Sequence, residues 1–352
     1  MVKKAAALIG IVTLGWLLLG GNASAFDPDD TYYHYQWHMG QIRVAPAWDY
    51  QMGRSDVVVA VVDTGVAYEN YQDFTQVSDL AETRFDTEHA YDFANSDNHP
   101  NDDDGHGTHV TGTIAQSTNN ALGVTGVAPG VTILPIKVFD ADGTADSYLV
   151  AQAFRYAVDN GADIINFSGG GSDSQPVREA CDYAYQHGVL VVAAAGNSGI
   201  PSLDYPAGYS TVLAVGALRL DLRLPAYSSH STGMVVAPGG DTSVDQNHDG
   251  YADGVLQQFI DGNYWFLQGT SMATPHVSGL AALILSEAKD LGMDIPTGPA
   301  RVEWLKEIIT SHTMDLGEEG DDSQYGYGLV MAEHCLAYLN GVTCGTPPQG
   351  CN

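Results

Sequence analysis

Residues 57–63 read VVVAVVD, and three later stretches share their character: VTILPIKVF at 131–139, ADIINFS at 162–168 and VLVVAAAG at 189–196. Each is a nearly continuous apolar run rather than an alternation, the pattern of a strand covered on both faces. Between them lie DSYLVAQAFRYAVDNG (146–161) and PVREACDYAYQHG (176–188), helix-like segments that each close on a glycine. Buried strands alternating with helices predict an α/β fold: a doubly wound, mainly parallel sheet with helices on both faces. In such a sheet, ligand chemistry collects at the carboxyl ends of the strands. TVLAVGA (211–217) and YWFLQG (264–269) are expected to add strands, with a helix near 271–287. No internal repeat or low-complexity linker interrupts this pattern. Residues 26–340 therefore read as one domain, and 341–352 as a cysteine-containing tail.

With 352 residues, 44% of them hydrophobic, the chain can bury a full core, which excludes disorder and fibre. Lys and Arg number 13 against 43 Asp and Glu, a formal net charge of −30. Such a chain repels phosphate backbones, so nucleic acid is excluded as a partner. The acid surplus hints at a saline habitat. At the N-terminus, Lys3 and Lys4 precede an apolar run from Ala5 to Gly21, followed by Ala23-Ser24-Ala25. That is the layout of a secretory signal peptide over residues 1–25, with a mature chain starting at Phe26. The alternative, an uncleaved anchor, is disfavoured by a run slightly short for a span. An exported monomer without stable membrane association is the expectation.

The four cysteines are Cys181, Cys335, Cys344 and Cys351. An even count in an oxidising compartment favours disulfides, with three possible connectivities. Crowding near the C-terminus predicts one short loop stapling the tail, with Cys181 as a possible buried thiol. No CxxC pair exists, which excludes a zinc ribbon or thioredoxin-type site.

Three strings carry chemistry. VVDTGV ends a buried strand at Asp63, DGHGTHVTGT surrounds His106, and GTSMATPH places Ser271 between a strand and an apolar helix. A serine at a helix N-terminus has backbone N–H groups and a favourable dipole beside it for a developing oxyanion. Its hydroxyl needs a base to take the proton, and the base needs an orienting carboxylate. Alone, each string is weak. DTG also marks aspartic proteases, but no second DTG or DSG is present. HGTH could be a two-histidine metal site, yet no HExxH accompanies it and the intervening glycine disfavours a stiff helix. GTSMA is not GxSxG, which argues against a lipase-type elbow.

The order Asp…His…Ser with these flanks resembles the subtilisin family of serine endopeptidases, thermitase-like members in particular. The similarity extends from about Asp30 to near Leu339, and YQWHMGQIRVAPAWD resembles the family's mature N-terminus. The resemblance implies that Asp63 orients the imidazole, His106 is general base then acid, and Ser271 attacks the scissile carbonyl of a polypeptide substrate. It makes His109 structural. In VVAAAGNSG, Asn197 matches the family's side-chain donor to the oxyanion. NFSGGG (166–171) matches a segment whose edge pairs with the substrate, implicating Ser168, Gly169 and Gly170. Gly169 stands where the family usually has leucine, which predicts a smaller, looser wall. Asp204, in SLDYPAGY, falls near the base of the primary specificity pocket and could favour Lys or Arg there; the alternative is a turn cap before Tyr-Pro.

Oxygen-rich loops predict two to three structural Ca2+ sites, since calcium takes six to eight oxygens in flexible geometry. DFANSDNHPNDDDGHGTH offers Asp92, Asn95, Asp97, the His99 carbonyl and Asn101, similar to a thermitase-like calcium loop. DQNHDGYAD places Asp245, Asn247, Asp249, the Tyr251 carbonyl and Asp253 at positions 1-3-5-7-9, with Gly250 at six. Leu256 stands where an EF-hand has its glutamate, so no helix-loop-helix sensor is expected. By resemblance, a third site joins Asp30, Asp73, Asn120 and the carbonyls of Thr118, Leu122 and Val124. Secreted relatives usually carry a propeptide, for which no segment is expected here; calcium-assisted folding is the expectation. Two other functions fit less of the pattern: a catalytically silent calcium-dependent binding protein, and an esterase.

Overall fold

The computed structural model describes residues 26–345 and Cys351; the predicted leader, residues 1–25, lies outside the described residues. Two short helices, α1 (Trp37–Gln41) and α2 (Val44–Trp48), precede the first strand. The strands are β1 (Val58–Asp63), β2 (Arg84–Phe85), β3 (Tyr91–Asp92), β4 (Thr132–Lys137), β5 (Ile164–Phe167), β6 (Leu190–Ala194), β7 (Leu213–Leu218) and β8 (Val235–Pro238). All eight form one parallel sheet in the order β2-β4-β1-β5-β6-β7-β8, with β3 also on β4. The chain leaves β1 towards β4 and returns to β5 on β1's other side. That reversal opens a crevice at the carboxyl ends of β1 and β5.

Helices α3 (His106–Ala115), α4 (Ser147–Asp159), α5 (Gln175–Gln186), α6 (Thr270–Asp290), α7 (Pro299–Ser311) and α8 (Ala332–Leu339) complete the layers. The apolar runs are strands because both faces are covered: β5 to β8 are buried at every position. Asp146 caps α4 by accepting from the Tyr148 N–H. Helix α6 is buried from Met272 to Ala288, its polar Thr274, His276 and Ser278 included, because it packs across β5 to β8. No helix among the described residues is long and apolar enough to cross a membrane.

Three expectations need correction. HGTH is helical after all: α3 starts at His106 and carries Gly107 within it. A Cβ at residue 107 would lie 2.2 Å from the Gly65 carbonyl oxygen, so close approach to the β1 loop accounts for the glycine. YWFLQG does not join the main sheet. Its strand, β10 (Tyr264–Leu267), pairs antiparallel with β9 (Val255–Gln258) as a separate ribbon. Its half-exposed residues show why the apolar pattern misled. Asp73 sits exposed in the tight Tyr71–Phe74 turn. The acid against the 118–124 loop is the buried Asp79, with Asn120 Nδ2 at 2.9 Å and the Val124 N–H at 3.0 Å.

Cys344 and Cys351 form a disulfide, the short tail loop expected, while Cys181 and Cys335 are buried free thiols.

Candidate active site

Asp63 is the last residue of β1 and has no solvent exposure. Its Oδ1 accepts from His106 Nδ1 at 2.7 Å and from the Thr64 N–H at 2.8 Å. Asp63 Oδ2 is buried and accepts nothing among the described residues. Burial works against a charged His106 ring, but Asp63, with Asp102 and Asp104 behind it, outweighs that and raises the imidazole to about 9. The ring is held by Asp63 at Nδ1, which leaves Nε2 as its acceptor when neutral.

What positions His106 is a web the sequence does not advertise. Asp102, buried within DDDG, takes the Thr64 hydroxyl on Oδ1 at 2.8 Å and the Thr108 hydroxyl on Oδ2 at 2.6 Å. Its oxygens also take the Gly105 and Thr108 N–H groups, capping the start of α3. Thr64 Oγ1 in turn accepts the Gly107 N–H at 2.8 Å. Lys137, fully buried at the end of β4, donates to the Thr64 carbonyl at 2.5 Å and to Asp103 at 2.6 Å. The signal for Lys137 was a lone cation inside VTILPIKVF. A buried ammonium needs partners of this kind.

Ser271 lies in the first turn of α6, behind Gly269, whose φ of +148° only glycine adopts easily. Pro275, one turn on, has no N–H for the Ser271 carbonyl. The Ser168 hydroxyl fills that gap at 2.9 Å, and Ser271 Oγ donates back to the Ser168 carbonyl, also at 2.9 Å. Ser168 is therefore a strut between β5 and α6. Ser271 makes no hydrogen bond to His106 among the described residues; its hydroxyl is engaged by Ser168 instead. Such bonds are often unmade in ligand-free sites and form when substrate arrives.

Asn197 follows β6. Its Oδ1 accepts from the Thr270 N–H at 2.9 Å and the Thr270 hydroxyl at 3.0 Å, capping α6. Its Nδ2 has no partner among the described residues. Asn197 and Ser271 line one cavity of about 280 Å³ with Gly169, Gly170, Gly196 and Asp204. A larger cavity, about 620 Å³ between residues 203–214 and α7, contains none of these residues. The expected loose wall at Gly169 is overturned: a Cβ there would meet the Phe139 ring at 2.6 Å and Phe167 at 3.1 Å. Two stacked phenylalanines occupy the space a leucine would take.

The acidic loops differ in how far their oxygens are already spent. In 245–253, Asp245 Oδ1 and Asp253 Oδ1 are buried without partners, and burial raises the Asp253 pKa. Asn247 and Asp249 bond each other, and the Tyr251 N–H goes to Asp249 Oδ1 at 2.9 Å. Beside the 118–124 loop, Asp30 Oδ1 is a buried orphan, and the Thr118, Leu122 and Val124 carbonyls accept nothing among the described residues. Burial pushes Asp79 up to about 6. The 92–101 loop is more self-satisfied. Asp92 is taken by Asn95, Asp97 Oδ1 by the His99 N–H, and the His99 carbonyl by the Asn101 N–H. Asn101 Oδ1 alone of these side-chain oxygens is buried and unpartnered, while Asn101 Nδ2 and His99 both reach Glu69.

With this geometry in place, comparison with known proteins is decisive. Residues 54–328 match the Subtilase family. The chain belongs to the subtilases. It is 38% identical to a thermophilic serine proteinase of Bacillus sp. over 76% of this chain and 62% of that protein. It is 35% identical to subtilisin DY of Bacillus licheniformis over 79% of this chain and 90% of the relative. Thermitase of Thermoactinomyces vulgaris is 34% identical over 75% and 87% of the two chains. A protease structure from Pseudoalteromonas arctica superposes with a TM-score of 0.74 at 29% identity, covering 88% of this chain and 99% of that one. This subtilase is thus a serine endopeptidase, and polypeptides are its substrates.

Proposed function

We propose that this subtilase is an exported, calcium-stabilised endopeptidase whose peptide bond cleavage runs through Ser271, His106 and Asp63. The observation that carries the assignment is the 2.7 Å bond between Asp63 Oδ1 and His106 Nδ1 at the carboxyl end of β1; Ser271 bonds Ser168 just beyond the neighbouring β5, and Asn197 follows β6. On substrate binding, Ser271 Oγ turns from the Ser168 carbonyl to His106 Nε2 and gives up its proton as it attacks the scissile carbonyl. Asp63 holds the ring in the tautomer that can accept that proton and stabilises the imidazolium formed. Asn197 Nδ2, with the Ser271 N–H at the start of α6, donates to the oxyanion. His106 then protonates the leaving amine, and water, deprotonated by the same ring, releases the acyl group. Extended substrate adds to the free backbone edge at Gly169 and Gly170, whose amide and carbonyl groups have no partner among the described residues.

Two calcium sites are supported by orphaned oxygens: Asp245 with Asp253 in one loop, and Asp30 with the Thr118, Leu122 and Val124 carbonyls, beside Asp79, in the other. Ca2+ bound there would neutralise buried carboxylates and hold both loops to the core, stabilising by mass action. The 92–101 loop fits less well, its oxygens being engaged already. Labelling with a fluorophosphonate tests the nucleophile: modification of Ser271, abolished in Ser271→Ala, is expected, and an unlabelled, casein-inactive chain would instead indicate a silent binding protein. Cleavage of esters but never of casein would indicate an esterase. Addition of EDTA should lower Tm, and an unmoved Tm would remove both calcium sites. Export predicts a mature N-terminus at Phe26.

A further inference from the structure

The cavity shared by Ser271 and Asn197 contains a charge that the cleavage chemistry does not use. Asp204 is half-buried on its wall, and its carboxylate has no hydrogen bond or ion pair among the described residues. Burial raises its pKa, and no cation lies close enough to oppose that. The carboxylate is held by its surroundings. The Asp204 N–H donates to the Ala195 carbonyl at 3.0 Å, and its own carbonyl accepts from Gly208 at 2.9 Å. Next to it, Tyr205 and Gly171 exchange two backbone bonds, of 3.0 and 2.9 Å. The segment is thereby fixed between the two glycine-built sides of the cavity. A Cβ at Gly196 would come 2.5 Å from Asp204 Oδ2, and one at Gly170 would come 2.9 Å from Asp204 Cβ. Gly196, at φ +107°, and Gly170 thus leave room for the carboxylate to stand against bare backbone.

The turn-cap alternative fails on this geometry, because a capping carboxylate would accept a nearby N–H and this one accepts none. Size does not choose the occupant, since about 280 Å³ admits an aromatic ring or a long basic side chain equally. Charge does choose. An aromatic side chain would finish burying a carboxylate with no partner, the costly case. A guanidinium or ammonium would supply the partner that the site lacks. We infer that Asp204 makes this protease selective for substrates with Arg or Lys at the residue whose carbonyl Ser271 attacks. The inference rests on the assignment of Ser271 as nucleophile. Long-range attraction acts in the same sense, as a chain of net charge −30 draws cationic peptides towards it.

The test uses the calcium-loaded protein and peptide anilides identical except for Arg, Lys or Phe before the scissile bond. Expected are kcat/KM values for Arg and Lys at least about tenfold above Phe, the range of one charge-assisted bond. Competitive inhibition by benzamidine is expected alongside. In Asp204→Asn, the Arg-to-Phe ratio should fall by about tenfold or more. Equal or better cleavage after Phe in the wild type would overturn the inference, whatever the variant does. So would an unchanged ratio in Asp204→Asn. Fluorophosphonate labelling of the wild type separates the two levels. A labelled Ser271 without basic preference removes selectivity alone, whereas an unlabelled chain that cleaves none of the three removes the nucleophile assignment and this inference together.

Discussion

Helix α3 carries two histidines, three residues apart, in opposite surroundings. His106 meets Asp63 at Nδ1 with Asp102 and Asp104 nearby, keeps 28% of its side chain exposed, and has its pKa raised to about 9. His109 is fully enclosed, and its Nε2 donates to the Val255 and Trp265 carbonyls at 3.1 and 3.2 Å, tying α3 to the β9–β10 ribbon. Burial lowers it to about 3. Nearby, His38 Nδ1 and His276 Nε2 are 2.8 Å apart, and His276 Nδ1 donates to the Met272 carbonyl, so His38 is the donor of the pair. Burial lowers both of these rings too, His276 to about 4. The same side chain is an acid–base group where carboxylates and solvent reach it, and a neutral hydrogen-bonding spacer where neither does.

The largest effect that can break this comparison comes from removing each ring. His106→Ala is expected to lower kcat/KM by about 10⁴-fold or more, the order measured when one member of such a triad is removed in other enzymes. Its Tm should move little. His109→Ala should do the reverse, costing roughly 2–4 kcal/mol of stability through a cavity and two abandoned carbonyls while leaving folded molecules active. Steady-state kinetics beside urea unfolding decides it, and an inactive but stable His109→Ala would erase the distinction.

A second measurement sharpens it. A general base must be neutral, and a ring lifted to about 9 is largely protonated below that pH. Activity should therefore climb on the alkaline side, with kcat/KM falling about tenfold per pH unit below the raised value. A limb with its midpoint near 6.5, the ordinary histidine value, would show that the carboxylates behind His106 do not act as the geometry requires.

Much of this is legible in the sequence alone. The four apolar runs announced their strands because burial on both faces leaves no alternation to confuse. Asp63, His106, Ser271 and Asn197 stand out because each closes a strand or opens a helix, the positions at which a parallel sheet collects its chemistry. The rest depends on contacts made across the chain. Asp102 and Lys137 look like a solvated run and a stray cation until Thr64 is seen between them. Nothing in the spacing distinguishes Asp79 from Asp73, because burial decides which acid faces the 118–124 loop. Gly107 makes HGTH look non-helical in sequence, yet its reason for being glycine is the Gly65 carbonyl opposite.

The smallest effect concerns acid. A folded pKa lowered to about 3 against an ordinary 6.5 means that native His109 binds fewer protons than the unfolded chain between those values. Its contribution to stability is complete above pH 6.5 and is lost as pH falls towards 3, by at most about 1.4 kcal/mol per pH unit. Asp79 opposes this when calcium is absent. Raised to about 6 from 3.8, it takes up a proton earlier in the native state, so acidification through that range favours folding. The comparison therefore belongs in saturating Ca2+, in a Ser271→Ala background that cannot digest itself. His109→Gln keeps an amide to serve the two carbonyls but has no proton to gain. Unfolding free energies followed from pH 6.5 to 4.5 should fall more steeply for the histidine chain than for the glutamine one. Parallel curves would mean that His109 is not held neutral by its enclosure, and that the two histidines of α3 differ in their contacts but not in their charge.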